Sequence, residues 1–331
     1  MDNITHTLVG LMMSRSGIDR KVAHAAPLMM IAANIPDVDV ISLLGGPVTY
    51  LEWHRGYTHA LASAPLMALI PPLLLLRRGR LTPWAYGFSL LGVLSHLVLD
   101  WTNIYGIRML LPFSDAWPRL DMTDVVDPWI LAVLILAVVA PAFVKMVSSE
   151  ISSKKAAGPT RGWAWFALIA ILGYEGLRFT AHERALAVMG AHLYNSSIDN
   201  GSIARRITAL PSRGSPLRWN GVVEGDGFVS IVHVDLTGEF DPRSGRIDYG
   251  ASGSPAIETA KGARAFRVFG KFCQLPFWKT SPLADGTLVE LIDLRFGTPQ
   301  NPGFEARAVI GPAGELRESS ITFGNPIKRS D

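Results

Sequence analysis

Histidine and aspartate, the side chains that most often bind divalent metals together, are concentrated in the first third of this 331-residue chain. Five of the eight histidines lie within the first 100 residues. Aspartates and histidines recur there in four segments, residues 2–6 (DNITH), 34–39 (NIPDVD), 54–59 (HRGYTH) and 95–100 (SHLVLD). Imidazole nitrogen and carboxylate oxygen together suit Zn²⁺, with Mn²⁺ or Fe²⁺ as less favoured occupants. The first hypothesis is therefore a metal site built from these segments.

The last segment gives the clearest spacing. His96 and Asp100 are four residues apart, so on a helix their side chains lie on one face and can share a metal. Read alone, the same pair is also consistent with an ion pair at a helix end. Asp37 and Asp39 alternate across a turn that begins at Pro36, so one can bind metal while the other orients a ligand or water. Both are also acceptable as simple caps.

The segment at 54–59 offers two further imidazoles. His54 and His59 are five residues apart, and Gly56 between them lets the chain turn so that both can converge. Arg55 is expected to hold an anionic phosphate, because its planar guanidinium matches phosphate oxygens. The alternatives for Arg55 are a lipid headgroup contact or a salt bridge to Glu52.

Four apolar runs are the elements that would position these residues. They cover residues 60–76, 84–99, 128–144 and 163–174, and the last continues as a longer helix. At about 1.5 Å per residue, the run at 60–76 reaches roughly 25 Å, slightly short of a bilayer core of about 30 Å. The pattern predicts about four spanning helices, and a soluble bundle with buried helices is the alternative.

Basic residues predict the orientation of these spans. They lie in the loops on one side of the predicted membrane, which the positive-inside rule makes cytoplasmic; the residues are Arg77, Arg78, Arg80, Lys145, Lys154, Lys155 and Arg161. All the candidate ligands then fall at the opposite, outer boundary. Ionisable groups near a bilayer are costly and by default indicate function, so this agreement favours a single site.

Two flanking regions complete the expected organisation. Residues 4–13 and 22–33 are predicted to form two short helices, a hairpin capped at Asp2 or Asn3. From about residue 200, glycine, proline and serine become frequent and alternating runs such as 228–236 and 287–296 predict strands. Residues 256–272 are expected to form one amphipathic helix.

The fold class predicted is therefore an α-helical membrane domain followed by a soluble, β-rich α+β domain. The expected bounds are 1–180 for the membrane domain, 181–199 for a connecting helix and 200–331 for an extracytoplasmic domain, periplasmic in a bacterium. The charged share of 18% lies below the roughly 25% of soluble domains, which disfavours an ordinary soluble enzyme. A net charge of +3 argues against a nucleic-acid partner. Cys273 is the single cysteine, so a thiolate metal cluster is excluded.

The quoted motifs carry a family resemblance. In order, DNITHTLVG, NIPDVD, HRGYTHA and SHLVLDWTNIYG resemble the YdjM/YbcI-type inner-membrane proteins, which are described as predicted metal-dependent hydrolases. The resemblance covers roughly residues 1–180. The family is distantly similar to zinc-dependent phospholipase C and S1/P1-type nucleases. This implies metal ligation by a set of His and Asp residues, namely His6, Asp37, His59 (or His54), His96 and Asp100.

One departure limits what the resemblance implies. The soluble relatives use a further His and Glu to complete a trinuclear cluster, whereas this chain has no histidine between His96 and His182. A mononuclear or dinuclear site is therefore expected.

The reaction expected is metal-assisted hydrolysis. A divalent metal lowers the pKa of bound water towards about 7 and polarises a scissile ester, and Asp37 or Asp39 would act as general base. A site at the bilayer surface favours a membrane lipid or a lipid-linked phosphoester as substrate. The alternative is a non-catalytic, metal-stabilised membrane scaffold or sensor.

Overall fold

The computed structural model describes residues 1–77, 81–151, 160–194 and 204–324. Two predictions fall partly outside these described residues. They concern the basic loop residues Arg78, Arg80, Lys154 and Lys155, and the end of the predicted connecting helix, residues 195–199. The chain forms two compact units. The first contains residues 1–38, 55–183 and 211–217, and the second contains residues 39–54, 184–210 and 218–331. The expected domain bounds of 1–180, 181–199 and 200–331 stay a prediction.

The α-helices belong to both units. In chain order they are α1 (Asn3–Arg15), α2 (Ala25–Ala32), α3 (Gly46–Trp53), α4 (Ala64–Met67), α5 (Ile70–Leu74), α6 (Pro83–Thr102), α7 (Pro128–Ile151), α8 (Thr160–Gly190), α9 (Pro255–Lys261) and α10 (Arg264–Phe272). The short helices α4 and α5 lie between the site segments 54–59 and 95–100. Two 3₁₀ segments, Ile35–Gly45 and Tyr57–His59, carry candidate ligands.

Local sequence explains where the two site-bearing helices begin. The carboxylate of Asp2 accepts hydrogen bonds from the backbone N–H groups of Ile4 and Thr5, so the cap predicted for α1 is confirmed. At the start of α6 the hydroxyl of Thr82 accepts from Ala85, and a proline follows it at the first helical position. Both helices thereby gain partners for amide groups that a helix start leaves unbonded.

The expected span at residues 60–76 is not one continuous helix. The structure breaks this run into α4 and α5, of four and five residues. Prolines at positions 65, 71 and 72 lack an amide hydrogen and clash with the preceding turn, which favours a helix start over helix continuation at each of them. The apolar composition of this run therefore did not determine the length of its helices.

Length and composition qualify one helix as a candidate membrane span. Residues Pro128–Met146 of α7 meet both criteria within the described residues. A second candidate is the pair Ala25–Ala32 and Ile35–Trp53, taken together as one interrupted span. A helical first region followed by a β-rich region is therefore shown, whereas the four predicted spans are not confirmed.

Close helix contacts hold the ligand-bearing helices of the first unit together. A Cβ on Gly10 of α1 would lie 2.5 Å from the carbonyl oxygen of Met29 on α2, and a Cβ on Gly92 of α6 would lie 2.7 Å from the Cβ of Ala32. Larger side chains at either glycine would separate α2 from its neighbours. The small residues therefore bring α1 and α6 against the two sides of α2.

The first unit has a basic end and a site end. At the basic end the Nζ of Lys21 lies 4.3 Å from the ring centre of Trp84, and the indole N–H of Trp165 donates to the carbonyl of Ser16 at 3.0 Å. The candidate ligands His6 and Asp100 lie near the other ends of the same helices. From Trp84 to Asp100 an α-helix rises about 24 Å, somewhat less than a bilayer core of about 30 Å.

The second unit contains two antiparallel four-stranded sheets. One has the order β1 (Arg206–Pro211), β2 (Arg218–Glu224), β3 (Phe228–Asp235) and β4 (Arg246–Tyr249). The other has the order β5 (Pro276–Leu283), β6 (Gly286–Asp293), β7 (Phe304–Ile310) and β8 (Leu316–Phe323). The strand predicted at 228–236 is thus confirmed in β3. The strand predicted at 287–296 is confirmed in β6 up to Asp293, and its last three residues form the 3₁₀ turn Leu294–Phe296.

The helix predicted at 256–272 is wrong in its continuity. It is divided into α9 and α10 by Gly262 and Ala263. Alanine at 263 has an extended backbone, and α10 begins after it with an apolar face of Phe266, Phe269 and Phe272. The phenylalanines are buried, so α10 covers the second unit's core.

Candidate metal centre

Four buried side chains converge in the first unit. His96 and Asp100 come from the last turns of α6, His59 ends the 3₁₀ segment Tyr57–His59, and Asp37 lies in the 3₁₀ segment Ile35–Gly45. His59, His96 and Asp100 are fully buried, and the Asp37 side chain is 10% exposed. Because ionic groups are seldom buried without partners, this concentration requires a compensating interaction.

The donor atoms of these four residues face one another. His59 Nε2 lies 3.1 Å from His96 Nε2, 3.4 Å from Asp37 Oδ1 and 3.5 Å from Asp100 Oδ2. His96 Nε2 lies 3.7 Å from Asp37 Oδ1 and 3.4 Å from Asp100 Oδ2. One donor atom from each residue can therefore reach a common point, and the cluster could bind a metal ion.

Hydrogen bonds on the outer side set the orientation of the two imidazoles. His96 Nδ1 lies 2.7 Å from the carbonyl oxygen of Ala33, which can only accept, so this nitrogen carries the proton and Nε2 presents a lone pair to the cluster. His59 Nδ1 lies 3.0 Å from the hydroxyl of Thr58. Metal-binding histidines commonly use such outer partners to fix the ring.

Asp100 is held from its other side. Its Oδ1 accepts from the guanidinium of Arg55 at 3.0 Å and from the amide of Asn103 at 3.2 Å, and it also pairs with the amino group of Met1. Its Oδ2 has no hydrogen-bond donor among the described residues and faces the two imidazoles. One carboxylate oxygen of Asp100 is thus held by hydrogen bonds and an ion pair, and the other faces the cluster.

Arg55 lies inside the protein in this arrangement. It is 3% exposed and has a left-handed backbone with φ of 52°. Besides Asp100, its guanidinium donates to the carbonyl of Gly106 at 3.2 Å and lies 4.4 Å from the ring centre of Tyr105. Glu52, which the sequence offered as a salt-bridge partner, is paired with Arg264 of α10. The structure therefore surrounds Arg55 with protein groups.

His6 of α1 lies beside the cluster. Its ring stacks on His96 with 3.8 Å between ring centres, and its Nε2 lies 3.4 Å from Asp100 Oδ1. Neither ring nitrogen has a hydrogen-bond partner within the described part of the chain, although the side chain is fully buried. Burial lowers the pKa of His6 well below its usual value, which keeps it neutral and able to act as a ligand.

The structure pairs His54 with Asp39. His54 Nδ1 lies 2.8 Å from Asp39 Oδ1, and the imidazole stacks on Tyr50 with 4.5 Å between ring centres. All three belong to the second unit. Of the two histidines that the sequence left open, His59 is the one grouped with His96 and Asp100.

Sequence reasoning missed the groups that hold the ligands. Asn103 follows Asp100 by three residues in the WTN motif, which is the signal that could have identified it, since residues three apart share a helix face. Nothing in the sequence indicates the amino group of Met1. Glu175 of α8 was missed as well. It accepts from the hydroxyl of Thr102 at 3.3 Å, and burial raises its pKa to about 7.

Asp127 has a local role at the start of α7. Its Oδ1 accepts from the backbone amides of Trp129 and Ile130 and thereby caps α7. Its Oδ2 accepts from the hydroxyl of Tyr174 at 2.9 Å. The carboxylate is satisfied by these bonds and ties the start of α7 to α8.

Comparison with known proteins gives a family but no established activity. The family model described as YdjM inner membrane protein matches residues 1–185. The protein YfhP of Bacillus subtilis (strain 168), described as uncharacterized, is 30% identical over 142 residues, which cover 39% of this chain and 43% of that protein. The chain thus spans less than half of that relative's length. No solved structure matches the chain.

Proposed function

Because this chain belongs to the YdjM inner membrane protein family, as its motifs indicated, we propose that it is a membrane-bound, metal-dependent hydrolase. Its substrate is a phosphoester of a membrane lipid or a lipid-linked molecule. The observation that carries the proposal is the convergence of His59, His96, Asp37 and Asp100 on one buried point. The distant likeness of the motifs to zinc-dependent phospholipase C supports the reaction class by analogy.

Zinc fits the donor set best. Ligands about 2.0–2.1 Å from a tetrahedral zinc lie about 3.3 Å apart. The five nitrogen–nitrogen and nitrogen–oxygen distances among the four donors range from 3.1 to 3.7 Å. Imidazole and carboxylate donors without thiolate are also compatible with Mn²⁺ or Fe²⁺, which prefer more ligands.

The metal would supply Lewis acidity, lowering the pKa of a bound water and polarising the scissile phosphoester. The protein groups then have distinct tasks. Asp37 is the cluster member whose side chain retains exposure, so its carboxylate is best placed to accept a proton during attack. Asp39 is bonded to His54, which makes it the second choice for the base.

His6 favours catalysis over a purely structural centre. Four protein donors already satisfy a tetrahedral structural ion. A fifth buried donor residue, whose imidazole has two unbonded nitrogens, costs free energy, since buried polar atoms normally have partners. In a hydrolase, His6 would bind a water molecule or a substrate oxygen, or it would occupy an additional coordination position on the metal.

A structural centre is the second candidate, favoured by one specific observation. Three of the four convergent ligands are fully buried, whereas catalytic zinc sites usually use three protein ligands and keep one position open. In this alternative the metal stabilises a membrane scaffold or sensor and no ester is hydrolysed.

The experiment begins with metal analysis of the purified protein, followed by turnover of bis(p-nitrophenyl) phosphate with and without chelator. A hydrolase should hold stoichiometric metal and lose turnover with chelator and in His96→Ala. His6→Phe should retain metal but lose turnover, because it removes the surplus donor. His192→Ala, at an exposed histidine, is the matched control. Metal without chelator-sensitive turnover would favour the scaffold, and protein without metal would contradict both candidates.

The multi-pass arrangement is part of the same proposal. Besides α7, helix α8 carries large apolar side chains that are 48–72% exposed, at Trp165, Phe166, Ile169 and Leu172. These suit lipid contact. We expect the basic end of the first unit in the cytoplasm and residues 200–331 on the outer side. A topology reporter fused after residue 331 should be active outside the cytoplasm, and cytoplasmic activity would contradict this orientation.

A further inference from the structure

The 3₁₀ segment Ile35–Gly45 has its polarity inverted relative to a water-soluble surface. Four apolar side chains are strongly exposed: Val40 by 52%, Ile41 by 67%, Leu43 by 51% and Leu44 by 88%. In the same stretch the carboxylate of Asp39 is buried and bonded to His54. Apolar groups thus face outwards and the ionised group faces inwards.

Such a surface is unfavourable in water. Large apolar patches on soluble proteins usually indicate contact with a membrane or a partner. In contact with lipid the same arrangement becomes favourable, because the exposed side chains leave water while the charged group remains paired inside the protein. The 3₁₀ backbone also satisfies its own hydrogen bonds, which an apolar environment requires.

Neighbouring elements of the second unit match a membrane surface too. Trp53, at the end of α3, is 56% exposed, and tryptophan is enriched at the level of lipid headgroups. Helix α10 packs against α3 and presents Arg267 and Lys271 on its exposed face, next to Arg264, which pairs with Glu52 of α3. Basic side chains on an amphipathic helix attract anionic headgroups.

We propose that this edge of the second unit, consisting of Val40, Ile41, Leu43, Leu44, Trp53 and the basic face of α10, docks onto an anionic lipid bilayer. The apolar residues enter the boundary between headgroups and acyl chains, and the basic residues contact phosphate groups. The contact is interfacial and lies about 5–10 Å deep, in contrast to a spanning segment. It does not depend on whether the metal centre hydrolyses an ester.

The test uses the full-length protein in vesicles of phosphatidylethanolamine and phosphatidylglycerol. Cys273 is replaced by serine, and a bimane fluorophore is attached to Leu44→Cys. Lipids with bromine near the ester end of the acyl chain should quench the emission strongly, because the probe would lie at that depth. Lipids with bromine near the chain end should quench it much less.

A matched control is available on a strand of the same unit. Leu283, at the end of β5, is also a large exposed apolar residue, at 43%. A probe at Leu283→Cys should be unaffected by brominated lipid and accessible to a water-soluble quencher. If the probe at position 44 behaved like this control, the proposal would be overturned. Strongest quenching from the chain end would overturn it as well, since the segment would then cross the bilayer.

A second variant tests the basic part of the surface. Arg267→Glu combined with Lys271→Glu should reduce quenching of the probe at position 44 in phosphatidylglycerol vesicles, because like charges repel the surface. The same pair should have little effect in vesicles of phosphatidylcholine alone. Unchanged quenching in the anionic vesicles would overturn the proposal, because the basic face of α10 is part of the proposed surface. Shielding from the water-soluble quencher without quenching by brominated lipid would overturn the proposal in favour of a protein partner.

Discussion

Replacing Arg55 by methionine should weaken metal binding, although Arg55 is not among the four convergent ligands. Its guanidinium donates to Asp100 Oδ1 at 3.0 Å and to Asn103 Oδ1 at 3.3 Å. These bonds leave Asp100 Oδ2 facing His59 and His96. Methionine retains much of the side-chain volume but none of the donors, so Asp100 becomes free to rotate away from the cluster.

The magnitude follows from the contacts that are lost. A hydrogen bond to a charged group contributes about 1.5–3 kcal/mol, and breaking a buried ion pair costs about 3–5 kcal/mol. Asn103 and the Met1 amino group still bond to Asp100 in this variant. We therefore expect a loss at the lower end of this range, about 3 kcal/mol of the unfolding free energy of the metal-free protein. Loss of an outer partner typically lowers metal affinity 10- to 100-fold, and the same range is expected here.

The assay is zinc competition against a chromophoric chelator, together with thermal unfolding of metal-free protein. Arg178→Met is the matched control, since Arg178 is 1% exposed and donates to the carbonyls of Met122 and Pro216. The control should lower stability and leave zinc affinity unchanged. Unchanged zinc affinity in Arg55→Met would refute the argument that Arg55 holds Asp100 in its metal-binding orientation. If only the Michaelis constant for a phosphodiester rose, Arg55 would instead be the phosphate-binding residue that the sequence suggested.

Three further predictions concern other residues of the first and second units. His59→Ala should abolish stoichiometric metal, whereas His54→Ala should retain it, as measured by metal analysis of the purified variants. Burial raises the pKa of Glu175 from 4.5 to about 7 in the folded protein, so the folded state binds a proton that the unfolded state releases between these pH values. The thermal midpoint should therefore fall as the pH rises from about 4.5 to 7. Glu175→Gln should remove this fall. Gly92→Val should lower both the thermal midpoint and metal content, because a Cβ at this position would lie 2.7 Å from the Cβ of Ala32.

Sequence spacing identified ligand pairs within one element better than pairs between elements. His96 and Asp100 were recognisable as a pair because a spacing of four residues places two side chains on the same face of a helix. The choice between His54 and His59 depended on the backbone turn at residues 55–56, where Arg55 adopts a left-handed conformation that spacing does not encode. The two histidines consequently have different partners, although they are only five positions apart: His54 pairs with Asp39, and His59 joins the cluster.

Element boundaries show a similar limit. Hydropathy treated residues 60–76 as one run, but proline at positions 65, 71 and 72 allowed only short helices there. Alternation along 228–236 predicted a strand correctly, since a half-buried strand has a period of two. The alternating pattern of a strand could therefore be interpreted from the sequence. Helix length could not, because it depended on where the backbone could continue its helical hydrogen bonds.

The buried ionised groups connect these observations. Apolar composition suggested that the ionisable residues of the first half lie at a membrane boundary, but composition does not say whether they face lipid, water or one another. In the structure Asp100 has three cationic or amide partners on one oxygen and imidazoles on the other. A carboxylate so fully surrounded is rigid, and rigidity is what a metal site gains from its outer partners. Asp37, with its side chain still partly exposed, can move more freely, so exchange of metal or substrate should occur on its side of the cluster.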